Sequence, residues 1–265
     1  MRYFLHIAYD GHDYKGWQFQ PNVKSVQGTI EKKLQLIFKR YIAINGCGRT
    51  DSGVHSSQYF FHIELDSTLD FDLKFRLNKH LPSDILIHEV IPVTDTQHAR
   101  YDAKSRTYDY FIHLNPDPIL NNYSSFYPLE GLNFEAMQTA AALLPLHENY
   151  RAMCKQPDKH NHTLCKISFA KLYVNPEKSR LRLNISANRF LRGMIRLIVD
   201  FLLQVGKGEM TIKQFEQILT DQPNAHLIKP ALPNGLYLSK IEYPYLNIAP
   251  KPNFTDFLKI GLDNN

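Results

Sequence analysis

The sequence predicts an α+β fold built from two ferredoxin-like halves with a mostly antiparallel sheet. Three observations lead there. The spacing of apolar residues switches between strand and helix periods in the order β-α-β-β-α-β, and that order occurs twice. The chain has 265 residues, which at about 150 residues per domain allows one large domain or two small ones. Its composition, 43% hydrophobic and 22% charged, is that of a globular protein and excludes a disordered, collagen-like or disulfide-scaffold chain. Residues 1–104 form the first half in this reading, and residues 105–265 the second.

Arg2 to Tyr9 alternates Tyr3, Leu5, Ile7 and Tyr9 against Phe4, His6 and Ala8, which is the period of a strand. From Val26 the period becomes helical. Val26, Ile30, Leu34, Ile37, Phe38 and Tyr41 share a stripe that leaves out Lys32, Lys33, Lys39 and Arg40, so Ser25 to Arg40 reads as an amphipathic helix with Ser25 as N-cap. A short strand near Ile42 to Ile44 runs into the turn residues Gly46 to Gly53. Tyr59, Phe61, Ile63 and Leu65 form the next strand, a helix over Asp72 to Leu81 is stopped by Pro82, and Ile85 to Val93 is a strand. In the second half Thr107 to Leu114 is a strand and Asn133 to Leu144 a helix. Strands near Leu164 to Val174 and Leu181 to Ala187 follow, then a helix from Arg189 to Val205, a short helix from Thr211 to Leu219 and a last strand from Leu236 to Tyr243. Two long connections, 115–131 and 145–163, stand out. The second carries His147, Arg151, Lys155, Lys159, His160 and His162, and fits a basic RNA-contacting loop and a merely solvated one equally well.

Against 26 Asp and Glu stand 31 Lys and Arg, a formal charge of +5, with 12 His in addition. Such a sum favours a polyanionic partner only where the charge is clustered, because the gain comes from counterions released where Lys and Arg meet phosphates. The three cysteines, Cys47, Cys154 and Cys165, are an odd, sparse set that points to free thiols in a reducing compartment, by default the cytoplasm. The opening residues lack the pattern of a signal peptide, and no stretch approaches the roughly 18 apolar residues of a membrane helix. There is no G-x-S-x-G elbow and no phosphate-binding P-loop. His62-Ile63-Glu64 lacks the P-C-x-x-C of a zinc deaminase and reads as an alternating strand. Cys154, His160, His162 and Cys165 do not make the paired knuckles of structural zinc, so no metal is expected.

Two constellations remain. Gly48-Arg49-Thr50-Asp51-Ser52-Gly53 reads as a tight turn, or as a carboxylate held at the end of a strand beside its own arginine. A neighbouring cation keeps a carboxylate ionised, as a nucleophile or base requires. Arg189, Arg192 and Arg196 stand at i, i+3 and i+7 of the expected Arg189 to Val205 helix. Arg189 and Arg192 fit a solvated rim, whereas Arg196 falls in the apolar middle, where pairing with a carboxylate is expected.

These residues, taken in order, make the chain resemble the tRNA pseudouridine synthase A family. The resemblance runs through Tyr9-Asp10-Gly11, Tyr14, Gly16-Trp17-Gln18, Val26-Gln27-Gly28 and Gly48-Arg49-Thr50-Asp51-Ser52-Gly53-Val54-His55. It continues through Leu81-Pro82-Ser83-Asp84-Ile85, His98-Ala99-Arg100, Arg106-Thr107-Tyr108, Arg189-Phe190-Leu191-Arg192, Met194-Ile195-Arg196 and Gly235-Leu236-Tyr237-Leu238. It implies a pseudouridine synthase fold and an enzyme that isomerises uridine to pseudouridine at positions 38 to 40 of the tRNA anticodon arm, without metal or organic cofactor. Asp51 matches the family's catalytic aspartate, Tyr108 the tyrosine that stacks on the target base, Arg196 the arginine paired with the aspartate, and Arg49 and Leu236 other active-site positions. Arg189, Arg192, Lys155 and Lys159 are candidate RNA contacts, and a homodimer with no membrane association is implied. The alternative is a weak or inactive relative that only binds structured RNA.

Three departures stand against the family pattern. Asp200 replaces a small residue one turn after Arg196 and is expected to compete for it or to reshape the helix packing. His147 to Met153 replaces an Asp-Phe pair followed by another aromatic, and Gly193 replaces a larger residue.

Overall fold

The computed structural model describes residues 1–223, 229–251 and 256–262. It is a mixed α+β structure with largely antiparallel strand pairing. The chain forms two compact units, Met1–Lys104 with Tyr237–Phe254, and Ser105–Leu236 with Thr255–Asn265. The stretch from Tyr237, which the sequence reading leaves in the second half, clusters with the first unit.

In the first unit β1 (Arg2–Tyr9) lies between β4 (Ile85–Val93) and β3 (His55–Glu64), antiparallel to both. β9 (Leu236–Glu242) pairs with β3 in parallel, His55 opposite Tyr237. α1 (Val26–Phe38) starts where the sequence predicts, with the Ser25 hydroxyl accepting from the Gly28 amide at 3.2 Å, and it ends on Lys39 in the left-handed conformation. α2 (Leu73–His80) is capped by Asp72, which accepts from the Phe75 amide at 2.9 Å. Val26, Ile30, Leu34, Leu73 and Leu77 are the buried apolar side chains of these helices.

One expectation changes in this unit. The strand expected near Ile42 to Ile44 is instead the two-residue β2 (Asn45–Gly46), paired with β3. Ile42 and Ile44 are buried without being paired, so their alternation reports which side chains enter the core and says nothing about a ladder. β1 and β3 are buried on both faces. The second face carries Phe4, His6, Phe60 and His62, over which Tyr243 packs edge-on against Phe4 and Phe60.

In the second unit β8 (Arg180–Ala187) lies between β5 (Ser105–His113) and β7 (Ile167–Val174), antiparallel to both, and the short β6 (Ser125–Phe126) joins β5 in parallel. α3 (Phe134–Leu143), α4 (Met194–Gly206) and α5 (Ile212–Asp221) complete it. Ten of the thirteen residues of α4 are buried, which makes it the central helix of the unit. Its start corrects the sequence reading, because the helix begins at Met194 and not at Arg189. Gly193 precedes it at φ +73° in the left-handed region, a conformation that stops a right-handed helix from extending backwards. Arg189 and Arg192 therefore lie on the approach to α4 and do not share a helical face with Arg196. Among the described residues no helix is long and apolar enough to cross a membrane.

Candidate active site

Asp51 sits half-buried in the connection between β2 and β3 of the first unit, with Arg49 exposed two residues before it. The turn is tight, the Val54 amide donating to the Asp51 carbonyl at 3.2 Å. It is also docked. The segment after β1 runs alongside it: the Trp17 amide donates to the Thr50 carbonyl at 3.2 Å, and the Gly53 amide and Ser52 hydroxyl both donate to the Tyr14 carbonyl, at 3.1 and 3.3 Å. Gly16 permits this approach. A Cβ there would stand 2.5 Å from the Thr50 carbonyl oxygen, and its φ of +89° suits glycine. Beneath the turn the Tyr59 hydroxyl donates to the Gly48 carbonyl at 2.6 Å, and Trp17 stacks on Tyr59 with centroids 4.0 Å apart.

The turn exits into His55, which is fully buried and stacked on Tyr237 at 4.5 Å. Its Nδ1 lies 3.0 Å from an Asp10 carboxylate oxygen and 3.1 Å from the Gly11 amide. Burial by itself raises the pKa of Asp10, and the hydrogen bonds from His55 and from the His12 amide more than reverse this, so the carboxyl titrates below its usual range.

The remaining candidates belong to the second unit. Tyr108 is on β5 opposite Ile185, half-buried, with its ring edge-to-face with Phe190 at 5.2 Å. Arg196 is in the first turn of α4 and clamps the approach to β9: its Nε donates to the Ala231 carbonyl at 2.6 Å, and its own carbonyl accepts from the Ala231 amide at 3.0 Å. Leu236 follows, buried, its amide donating to the Pro233 carbonyl. Asp200 accepts from Gln204 at 2.7 Å, one turn further along the helix. The competition with Arg196 expected of it does not form, and burial raises the pKa of its carboxyl.

The structure brings the basic residues of the 145–163 connection next to the approach to α4. The Lys155 amide donates to the Arg192 carbonyl at 3.1 Å, Arg192 donates to Gln156 at 2.7 Å, and an Arg189 guanidinium nitrogen lies 3.2 Å from His162 Nε2. Lys155 and Lys159 are exposed beside them. The connection is ordered by short 3-10 turns and by a bridge between Asn149 and Leu164, while Tyr150 is buried and donates to the Leu144 and His147 carbonyls. This clustering is what the net charge alone left open. Among the described residues no group of three His, Cys, Asp or Glu is placed to hold a metal ion, and all three cysteines are buried free thiols.

Sequence reasoning overlooked two sets of residues. Asp109, next to Tyr108, is buried and accepts from Arg182 and Asn184 at 2.7 Å each. Alternation along β5 was its only signal, and a polar residue on the inward side of a strand is visible only once the sheet is built. The other set is Tyr14, Gly16 and Trp17, which belong to the motifs but whose task of holding the Asp51 turn depends on long-range contact.

The family described as tRNA pseudouridine synthase matches residues 140–244, which hold Arg196 and Leu236. A protein of Porphyromonas gingivalis named tRNA pseudouridine synthase A is 37% identical over 92% of this chain and 97% of its own length. The chain belongs to the tRNA pseudouridine synthase A family. Other relatives carry the same name: one from Streptococcus gordonii is 35% identical over 91% of this chain and 98% of its own, and one from Thermosipho melanesiensis 34% over the same shares. The relatedness therefore spans both units, including the Asp51 turn, which lies before the segment matched by the family description.

Proposed function

We propose that this tRNA pseudouridine synthase A family member converts uridine to pseudouridine at positions 38 to 40 of the tRNA anticodon arm, with Asp51 as the covalent nucleophile. The observation that carries the reading is 37% identity over nearly the whole chain to a protein named tRNA pseudouridine synthase A. The chemistry suits the residues. The N1–C1′ bond of the nucleotide breaks, a C5–C1′ bond forms, the C5 proton is lost and N1 gains one, with no net oxidation. A carboxylate that attacks and later leaves is therefore a sufficient covalent catalyst. The target base has to leave its stack, at a cost of a few kcal/mol, and phosphate contacts offset that cost.

The remaining roles follow the family resemblance residue by residue. Tyr108 stacks on the detached uracil, Arg196 compensates the charge of the carboxylate, and Arg49 and Leu236 contact the substrate. Lys155, Lys159, Arg189 and Arg192 supply phosphate contacts, a role supported by their clustering around the approach to α4. We read the two halves, 1–104 and 105–265, as ferredoxin-like. The pairing of β1 with β4 and β3, and of β3 with β2, supports this for the first half. The working form is a cytoplasmic homodimer whose two basic surfaces share one tRNA.

The test is release of tritium from unmodified tRNA labelled at C5 of uridine. Wild-type protein releases it, from positions 38 to 40 when the product is mapped, and Asp51→Asn releases none while still binding tRNA. Absence of release from the wild type overturns the activity, and release by Asp51→Asn overturns the assignment of the nucleophile. Light scattering of the purified protein with and without tRNA decides the dimer.

A further inference from the structure

The Asp51 turn does not hold itself in place. The two residues that follow Asp51 both donate to a single acceptor, the Tyr14 carbonyl: Gly53 through its amide at 3.1 Å and Ser52 through its hydroxyl at 3.3 Å. The position of that carbonyl is therefore the position of the turn. Tyr14 is in turn tied at its other end. Its ring is 1% exposed, and its hydroxyl donates to an Asp84 carboxylate oxygen at 2.6 Å. Asp84 belongs to the connection between α2 and β4, and its carbonyl accepts from the Asp10 amide at 2.9 Å, so it holds the same segment at a second point. Lys24 adds its ammonium 3.4 Å from the other Asp84 oxygen and 4.2 Å over the Tyr14 ring. Burial first, and then the Asp84 carboxylate, raise the pKa of the Tyr14 phenol, which keeps it protonated and donating at any working pH.

We infer that Tyr14 and Asp84 form a latch that sets the position of the Asp51 carboxylate, making both of them positioning residues for the reaction. A hydrogen bond from a neutral donor to a carboxylate is stronger than a neutral pair. Here it is made by residues more than 30 positions before and more than 30 positions after the residue it places, so it acts through the segment and touches no substrate. Covalent attack is sensitive to sub-ångström placement, whereas binding of a tRNA through many phosphates is not. The latch therefore belongs to kcat.

The inference rests on the proposed activity, and the experiment separates the two. Tritium release, tRNA affinity and thermal midpoint are measured for the full chain carrying Tyr14→Phe, Asp84→Ala, Asp84→Asn and the pair Tyr14→Phe/Asp84→Ala. A misplacement of about 1 Å costs up to about 100-fold. Tyr14→Phe and Asp84→Ala are therefore each expected to lower kcat by about 10- to 100-fold at a temperature where they remain folded, with KM and tRNA affinity within about twofold of wild type. The pair is no worse than either single change, and Asp84→Asn, whose amide oxygen still accepts from the phenol, recovers most of the rate. An unchanged kcat, a loss confined to KM, or losses that multiply in the pair overturn the latch. Loss of the thermal midpoint without loss of rate in the folded protein also overturns it, by reducing the contact to a structural one. Absence of wild-type release overturns the proposed function and the latch with it, whereas the outcomes above, read with wild-type release intact, overturn the latch alone.

Discussion

His6 has no exposed surface and, among the described residues, no hydrogen-bond partner for either ring nitrogen. It stacks on Phe60 at 4.8 Å and lies 4.9 Å from His88. Burial, then the charges of His88 and Lys251, lower its pKa from 6.5 to about 3; His62 is lowered to about 4, again chiefly by burial. Since the folded state holds these imidazoles neutral and the unfolded chain protonates them below its ordinary value, stability is whole above about pH 6.5 and is lost as pH falls towards 4. The steepest contribution of one such group is about 1.4 kcal/mol per pH unit. We expect denaturant midpoints to fall between pH 7.5 and pH 5, and His6→Phe, which keeps a ring against Phe60, to fall less. Asp109 is the opposite kind of buried group, a carboxyl whose Oδ1 accepts from both Arg182 and Asn184. Asp109→Ala removes the buried carboxylate that Arg182 and Asn184 share and is expected to cost about 3–5 kcal/mol in urea unfolding; a cost below about 1 kcal/mol contradicts the pairing. Local sequence carries no sign of either group, since His6 looks like the polar position of an alternating strand and becomes a core residue only because both faces of β1 are covered.

The helices show which part of an element its own sequence carries. α1 and its Ser25 cap are legible, because cap and stripe are local patterns, and Ser25→Ala is expected to destabilise the protein by about 1 kcal/mol. α4 is legible in its middle and not at its start. The apolar period continues back through Phe190 and Leu191, and the break comes from one backbone conformation at Gly193. A Cβ there meets the Lys155 side chain at 3.0 Å in a left-handed conformation, so Gly193→Ala is expected to lose about 1–2 kcal/mol. Because Lys155 and Arg192 pack around that turn, tRNA affinity should fall as well, which filter binding beside calorimetry will show. The Asp51 turn behaves likewise. Its Gly and Asp composition announces a turn, while the contacts that hold it come from Tyr14, Gly16 and Trp17 more than 30 residues away.

At the scale of the molecule the formal charge of +5 is a weak guide, and its placement is a strong one. Each phosphate contact that is removed flattens the dependence of log affinity on log salt by about 0.7–0.9. Titrating tRNA at several salt concentrations should give a steep slope for the wild type and a slope shallower by about that amount for Lys155→Ala and again for Lys159→Ala; unchanged slopes would remove these residues from the interface. The sequence by itself determined the mixed α+β class, most strands and helices, and the family, because periodicity, caps and ordered motifs are written in neighbouring residues. Only the tertiary structure decided that β1 is buried twice over, that α4 starts after Gly193, that Asp200 bonds Gln204, and that the basic connection folds against the approach to α4. Each of those depends on which distant segments share a face, and that is settled by packing and by the pairing of buried polar groups across the chain.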